Sequence, residues 1–114
     1  MTVSERIVDG VTLLDLSGQL AGASAVNLRD TVKALLGQGR RQFVVNLAAV
    51  PYMDSSGLGE LVLAHATVMR QGGALKLMHL TGRMRDLLVI TKLLTVFDCH
   101  DSEYAAVTSF TPPA

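Results

Sequence analysis

The chain has a single cysteine, Cys99, no tryptophan, three phenylalanines and two tyrosines in 114 residues. One cysteine excludes an internal disulfide and fits a reducing compartment, so a cytoplasmic protein is expected. Net charge of one sign is missing too: ten Lys or Arg face ten Asp or Glu. Without a basic excess there is no electrostatic footprint for direct nucleic-acid binding. No apolar run approaches the ~20 residues of a membrane-spanning helix, so membrane insertion is not expected. The opening Met1-Thr2-Val3-Ser4-Glu5 has no charged segment leading into an apolar core, and no secretory signal is expected. His65 and His79 stand on separate predicted elements, and Cys99-His100 is a lone pair without metal-ligand spacing, so neither a metal nor a cofactor is expected. Internal repeats and low-complexity stretches are absent as well.

What is present is ample apolar material. Hydrophobic residues make up 49% and charged residues 18% of the chain. That composition is globular, and the length suits one domain that needs no staple. We assign the domain to residues 1–110 and a frayed tail to residues 111–114.

Asp9-Gly10 is a hairpin turn signal between strand-like residues 6–9 and 11–17. From about Ala23 to Leu36, the spacing of Leu28, Val32, Leu35 and Leu36 marks one face of an amphipathic helix, with Gly37 and Gly39 stopping it. The apolar run over residues 42–47 has the character of a central parallel strand. Leu58, Leu61, Val62, His65, Val68 and Met69 then follow helical spacing, up to Gly72-Gly73. His65 on that stripe reads as a buried or stripe-edge histidine rather than a ligand, and the five methionines read as core filler. Residues 74–80 form a further strand. Thr81 or Gly82 opens a third helix, whose Arg83, Arg85 and Asp86 form a solvated face or the rim of a partner site. Residues 94–97 read as a short strand, and Asp101-Ser102-Glu103-Tyr104 starts a last helix with an acid-rich first turn. The expected fold class is α/β: a mixed, largely parallel sheet with an N-terminal hairpin, covered by about four helices.

One stretch concentrates the recognition groups: Val50-Pro51-Tyr52-Met53-Asp54-Ser55-Ser56-Gly57-Leu58-Gly59. It lies where an α/β sheet keeps its sites, at the carboxyl end of a strand. Asp54 or Ser55 can cap the following helix. Capping leaves the glycines unexplained, since each costs roughly 0.5–1 kcal/mol inside a helix relative to alanine. Two in one turn predict a close approach to the backbone, by the neighbouring sheet or by a partner reaching Ser56. Enzyme motifs fail here. A nucleophile elbow centred on Ser56 needs glycines at 54 and 58, where Asp54 and Leu58 stand. A dinucleotide loop needs a third glycine at 62, where Val62 stands, and no P-loop lysine follows.

Val44-Val45-Asn46-Leu47, then Met53-Asp54-Ser55-Ser56-Gly57-Leu58-Gly59, then Gly72-Gly73 before a strand, together resemble the STAS domain, and among its members the anti-sigma-factor antagonists of bacteria. The resemblance runs from the hairpin to Ala105-Ala106 and implies one STAS-type domain without catalysis of its own. It implies that the unphosphorylated protein binds an anti-sigma factor that is also a serine kinase, releasing the sigma factor. Phosphorylation by that kinase at the serine before the glycine, here Ser56, ends the binding, and a serine phosphatase restores it. Asp54, Ser55, Gly57, Leu58 and Gly59 would then belong to the partner-binding surface with Ser56. The family also places an acid near the acceptor serine, after the leucine that follows the second strand. Here Gly18-Gln19-Leu20 is followed by Ala21, a departure that bears on phosphorylation efficiency and partner identity. The alternative implied is a non-switching STAS scaffold, in a signalling assembly or bound to a transporter ATPase. A small serine hydrolase is disfavoured by the missing elbow and by the lack of a histidine motif to serve Ser56.

Overall fold

Asp9 and Gly10 both take positive φ, 52° and 80°, and turn the chain back on itself as the dipeptide predicts. In the computed structural model, which describes residues 1–110, this turn joins β1 (Thr2–Val8) to β2 (Val11–Ser17). There follow α1 (Val26–Gly37), β3 (Gln42–Ala49), α2 (Ser55–Arg70), β4 (Ala74–Met78), α3 (Gly82–Ile90), β5 (Cys99–His100) and α4 (Glu103–Thr108). The expected tail, residues 111–114, lies outside the described residues.

The strands form one sheet in the order β1-β2-β3-β4-β5. Only the β1–β2 hairpin is antiparallel; β2–β3, β3–β4 and β4–β5 pair in parallel. The single mixed α/β domain therefore matches the expected class. Strand alternation divides the core in two. Leu14, Leu16, Phe43, Val45, Leu47, Leu75 and Leu77 face the larger layer, where they meet Leu28, Val32 and Leu35 of α1, Leu61, Ala64 and Val68 of α2, and Met84 and Leu88 of α3. Val11, Leu13, Val44 and Met78 face the other side and meet Ala106 and Val107 of α4.

Several boundaries differ from the expectation: β1 runs over Thr2–Val8 rather than residues 6–9, and β4 ends at Met78 rather than residue 80, where His79 takes φ 61°. The first helix is preceded by a 3-10 turn, Gly22–Ala25, so the α-helix proper starts at Val26. Residues 94–97 are no strand. After α3, Lys92 takes φ 61°, and Val96 N–H and Phe97 N–H both donate to the Leu93 carbonyl. Those local bonds coil the segment and take the Val96 and Phe97 N–H groups away from any ladder. Phe97 is buried, at 4% exposure, as a core plug rather than as a strand residue. The last strand is the shorter Cys99–His100, which pairs with Leu77 and Met78.

On the α4 side, which one short helix only partly covers, the sheet carries a polar network. Arg6 donates to Asp15 through Nε at 2.6 Å and through Nη2 at 3.0 Å, and to Glu103 of α4 at 2.7 Å. Asn46 donates to Asp15 at 2.8 Å. The Arg6 hydrogen bond, aided by Asn46, holds the Asp15 carboxyl below its ordinary range despite partial desolvation. A carboxylate with a lowered folded-state pKa contributes stability above its unfolded pKa and loses it as pH falls through the folded value. Wild type should therefore lose more stability than Asp15→Asn when pH is lowered from 7 to about 3, below the usual carboxylate range. Urea unfolding at both pH values measures this, and equal losses would mean that the pairing contributes nothing.

Candidate functional site

The site is built from two segments locked edge to edge. At the exit of β2, Gly18 N–H donates to the Ala49 carbonyl at 3.1 Å and Leu20 N–H to the Tyr52 carbonyl at 3.0 Å. Asp54 N–H donates back to the Leu20 carbonyl at 3.3 Å. Leu20 and Met53 thus form an isolated parallel bridge that extends the β2–β3 pairing past the strand ends.

Asp54 is the cap of α2. Its Oδ1 accepts from Gly57 N–H at 2.8 Å, and its Oδ2 accepts from Gly22 N–H at 3.2 Å. One carboxylate therefore starts the helix and ties the loop that follows Leu20 to it. Ser55, the other candidate cap, does not share this role. Ser55 and Ser56 occupy the first two helical positions, both exposed, and among the described residues neither hydroxyl makes a hydrogen bond within the chain. Their backbone N–H groups precede the first intrahelical bond and face outward with the positive end of the helix dipole.

The two glycines separate in function. A Cβ at Gly57 would sit 1.7 Å from the Leu20 carbonyl oxygen and 2.6 Å from its carbon, whereas one at Gly59 would meet nothing within 4 Å. Of the two approaches expected, by the neighbouring sheet or by a partner, Gly57 meets the first kind, and its reading as room for a partner is corrected. What approaches that residue is the chain's own Leu20 backbone, and Gly57 is buried by it. Leu58 is also largely buried, at 6% exposure, and belongs to the core. Of the residues singled out in the sequence, Asp54, Ser55, Ser56 and Gly59 are left at least partly open at the helix start.

Ala21 is brought into the same place. It lies extended, φ −152° and ψ 152°, just before the 3-10 turn. Its neighbours on both sides are pinned, Leu20 on Gly57 and Gly22 on Asp54. Sequence reasoning passed over Leu20 and Gly22 themselves, because both act through their backbones. The one available signal was their position right after the strand exit.

Among the described residues no side chain hydrogen-bonds the Ser56 hydroxyl. A base must lie within hydrogen-bond reach, whereas His65 is nine residues further along α2, about 13 Å at 1.5 Å per residue. His65 packs edge-on against Phe97, with ring centroids 5.0 Å apart, and desolvation lowers its pKa. Desolvation likewise pushes the Cys99 thiol up, away from the reactive thiolate. Among the described residues no group of three or more His, Cys, Asp or Glu gathers to hold a metal ion. No helix among them is long and apolar enough to cross a membrane.

A mixed five-stranded sheet covered by helices thus displays Ser55 and Ser56 on the exposed first turn of a capped helix. The STAS domain model matches residues 2–106, and the chain belongs to the STAS domain family. Its relatives include the anti-sigma-B factor antagonist of Bacillus subtilis, 38% identical over 85 residues, which span 75% of this chain and 77% of that protein. The fold is shared with an anti-sigma factor antagonist from Mycobacterium paratuberculosis, with a TM-score of 0.85 and 22% identity, over 97% of this chain and 94% of that one. It is also shared with the Bacillus cell fate determinant SpoIIAA in its phosphorylated form, with a TM-score of 0.73 and 19% identity, over 95% of this chain and 99% of that one.

Proposed function

We propose that the protein is an anti-sigma-factor antagonist of the cytoplasm whose binding is switched by phosphorylation of Ser56. Unphosphorylated, it binds an anti-sigma factor that is also a serine kinase, and the sigma factor is released. That kinase transfers the γ-phosphoryl group of ATP to Ser56 Oγ, the hydroxyl proton leaves, and the complex separates. A serine phosphatase hydrolyses the ester and restores binding. The protein itself catalyses nothing.

The observation that carries this reading is the exposed, unengaged Ser56 at the second position of α2, with Asp54 already committed to the cap. A helix N-terminus accommodates a phosphate through its free N–H groups and dipole. The added charge of about −1.5 to −2 then acts on whatever surface was packed against it. The 38% identical relative, itself an anti-sigma factor antagonist by name, supports the partner class.

Each anti-sigma-factor kinase of the source organism, incubated with the purified protein and radiolabelled ATP, tests the reading. One of them should add a single phosphate. Ser55→Ala should be labelled like wild type and Ser56→Ala not at all. Equal labelling of Ser56→Ala overturns the assignment. One observation favours a second reading: Ala21 leaves the pinned loop beside the serines without an acid. In that reading the module is a non-switching scaffold, and it would co-purify with a transporter ATPase rather than with a serine kinase.

A further inference from the structure

The loop that leads into the serines lines an apolar pocket of about 270 Å³. Pro51, Tyr52 and Met53 form one wall, and Met84, Leu87 and Ile90 of α3 form the other. Its size is just under the ~300–1,000 Å³ of sites that enclose a drug-sized ligand, and suits one inserted side chain. The lining keeps large apolar groups in water: Ile90 is 78% exposed and Tyr52 43%. Arg83 and Asp86 stand at its rim, and among the described residues neither is in an ion pair.

We propose that this pocket receives an apolar side chain of the same kinase partner that reaches Ser56, presented between a basic residue opposite Asp86 and an acidic residue opposite Arg83. The inference rests on the reading of Ser56 given above. Three arguments choose this occupant. Tyr52 is four residues before Ser56, so the two lie at most about 14 Å apart along the chain. A standard interface covers about 800 Å² per partner, a disc of roughly 16 Å radius, so a partner centred on Ser56 covers Tyr52 as well. Met53, on the pocket wall, is held by its bridge to Leu20, so pocket and serine belong to one fixed frame. Finally, one free charge of each sign at the rim selects an apolar anchor flanked by complementary charges over a plain greasy surface. The pocket would then supply affinity, and Ser56 the switch.

The test uses the kinase found to label Ser56, titrated calorimetrically with the full-length unphosphorylated protein. Ile90→Glu and Tyr52→Ala should each raise Kd at least about tenfold, as loss of a central apolar anchor does. Ile90 is exposed enough that Ile90→Glu should melt like wild type, which separates lost binding from lost folding, and the more buried Tyr52→Ala is read beside it with its own melting temperature measured. The paired change Arg83→Glu with Asp86→Arg keeps net charge constant. It should weaken binding severalfold at low salt and less at high salt. Unchanged Kd in Ile90→Glu and Tyr52→Ala, with Ser56 still labelled, overturns the pocket and leaves the phosphorylation reading standing. A kinase that binds but does not label Ser56, or no kinase partner at all, overturns both. A wild-type dimer that Ile90→Glu converts to monomer assigns the pocket to a second copy of the chain and also overturns the proposal.

Discussion

Gly57→Ala is expected to destabilise the domain by about 3 kcal/mol or more, at the upper end of what overpacking costs. The added methyl would lie 1.7 Å from the Leu20 carbonyl oxygen, a distance that no side-chain rotation can relieve, because the obstacle is backbone. Leu20 cannot easily withdraw. Its side chain is fully buried, its N–H is bonded to Tyr52, and its carbonyl accepts from Asp54. At about 4–8 °C per kcal/mol for a domain slightly smaller than this one, the melting temperature should fall by more than about 10 °C. Gly59→Ala should move the other way. A Cβ there meets nothing within 4 Å, and the helix gains roughly 0.5–1 kcal/mol from losing a flexible residue. Thermal and urea unfolding of the two variants side by side measure the contrast. A Gly57→Ala protein as stable as wild type would mean that the Leu20 seam yields easily and does not organise the site.

The second large effect is functional. On the function proposed above, phosphorylation of Ser56, or its mimic Ser56→Asp, is expected to weaken binding to the proposed kinase partner about 100-fold or more, the several kcal/mol that misplaced interfacial charge costs. Stability should hardly change, or rise by about 0.3–1 kcal/mol, because an anion at the second helical position complements the dipole. Calorimetric titration and scanning calorimetry on one preparation separate the two quantities. Unchanged affinity defeats the switch. Lost affinity together with a lowered melting temperature would place the switch in refolding rather than at the interface.

Much of this architecture was legible in the chain. The Asp9-Gly10 turn, the helical stripe through Leu28, Val32 and Leu35 and the apolar run over residues 42–47 each carry a period or a turn chemistry that few other structures satisfy. The segment over residues 94–97 misled because a short apolar run has no period of its own, and Phe97 is buried for packing rather than for pairing. At the site, the polar elements were readable from residue type: the Asp54 cap, the adjacent hydroxyls and the surplus of glycine. Which glycine was needed, and for what, was not. Gly57 and Gly59 differ only in what lies opposite, and opposite Gly57 is a backbone carbonyl from a distant part of the chain that leaves no mark in a side-chain pattern. Gly22 donating to Asp54 was hidden for the same reason. The pocket beside α3 joins two segments nearly thirty residues apart, so periodicity marks Met84 and Leu87 as helix face but cannot pair them with Tyr52.

The seam between Leu20 and Gly57 also sets when the serine becomes presentable. Its two sides are separated in the chain by α1 and β3, so closing it is a non-local event of the kind that loop-closure entropy slows. Before closure Asp54 has no Gly22 to hold, the first turn of α2 lacks its second anchor, and Ser56 is an ordinary serine on a flexible chain. Ser56 in its recognisable form thus certifies that the β2–α1–β3 unit has folded. A partner that reads this helix start would count folded molecules and ignore nascent or heat-damaged ones.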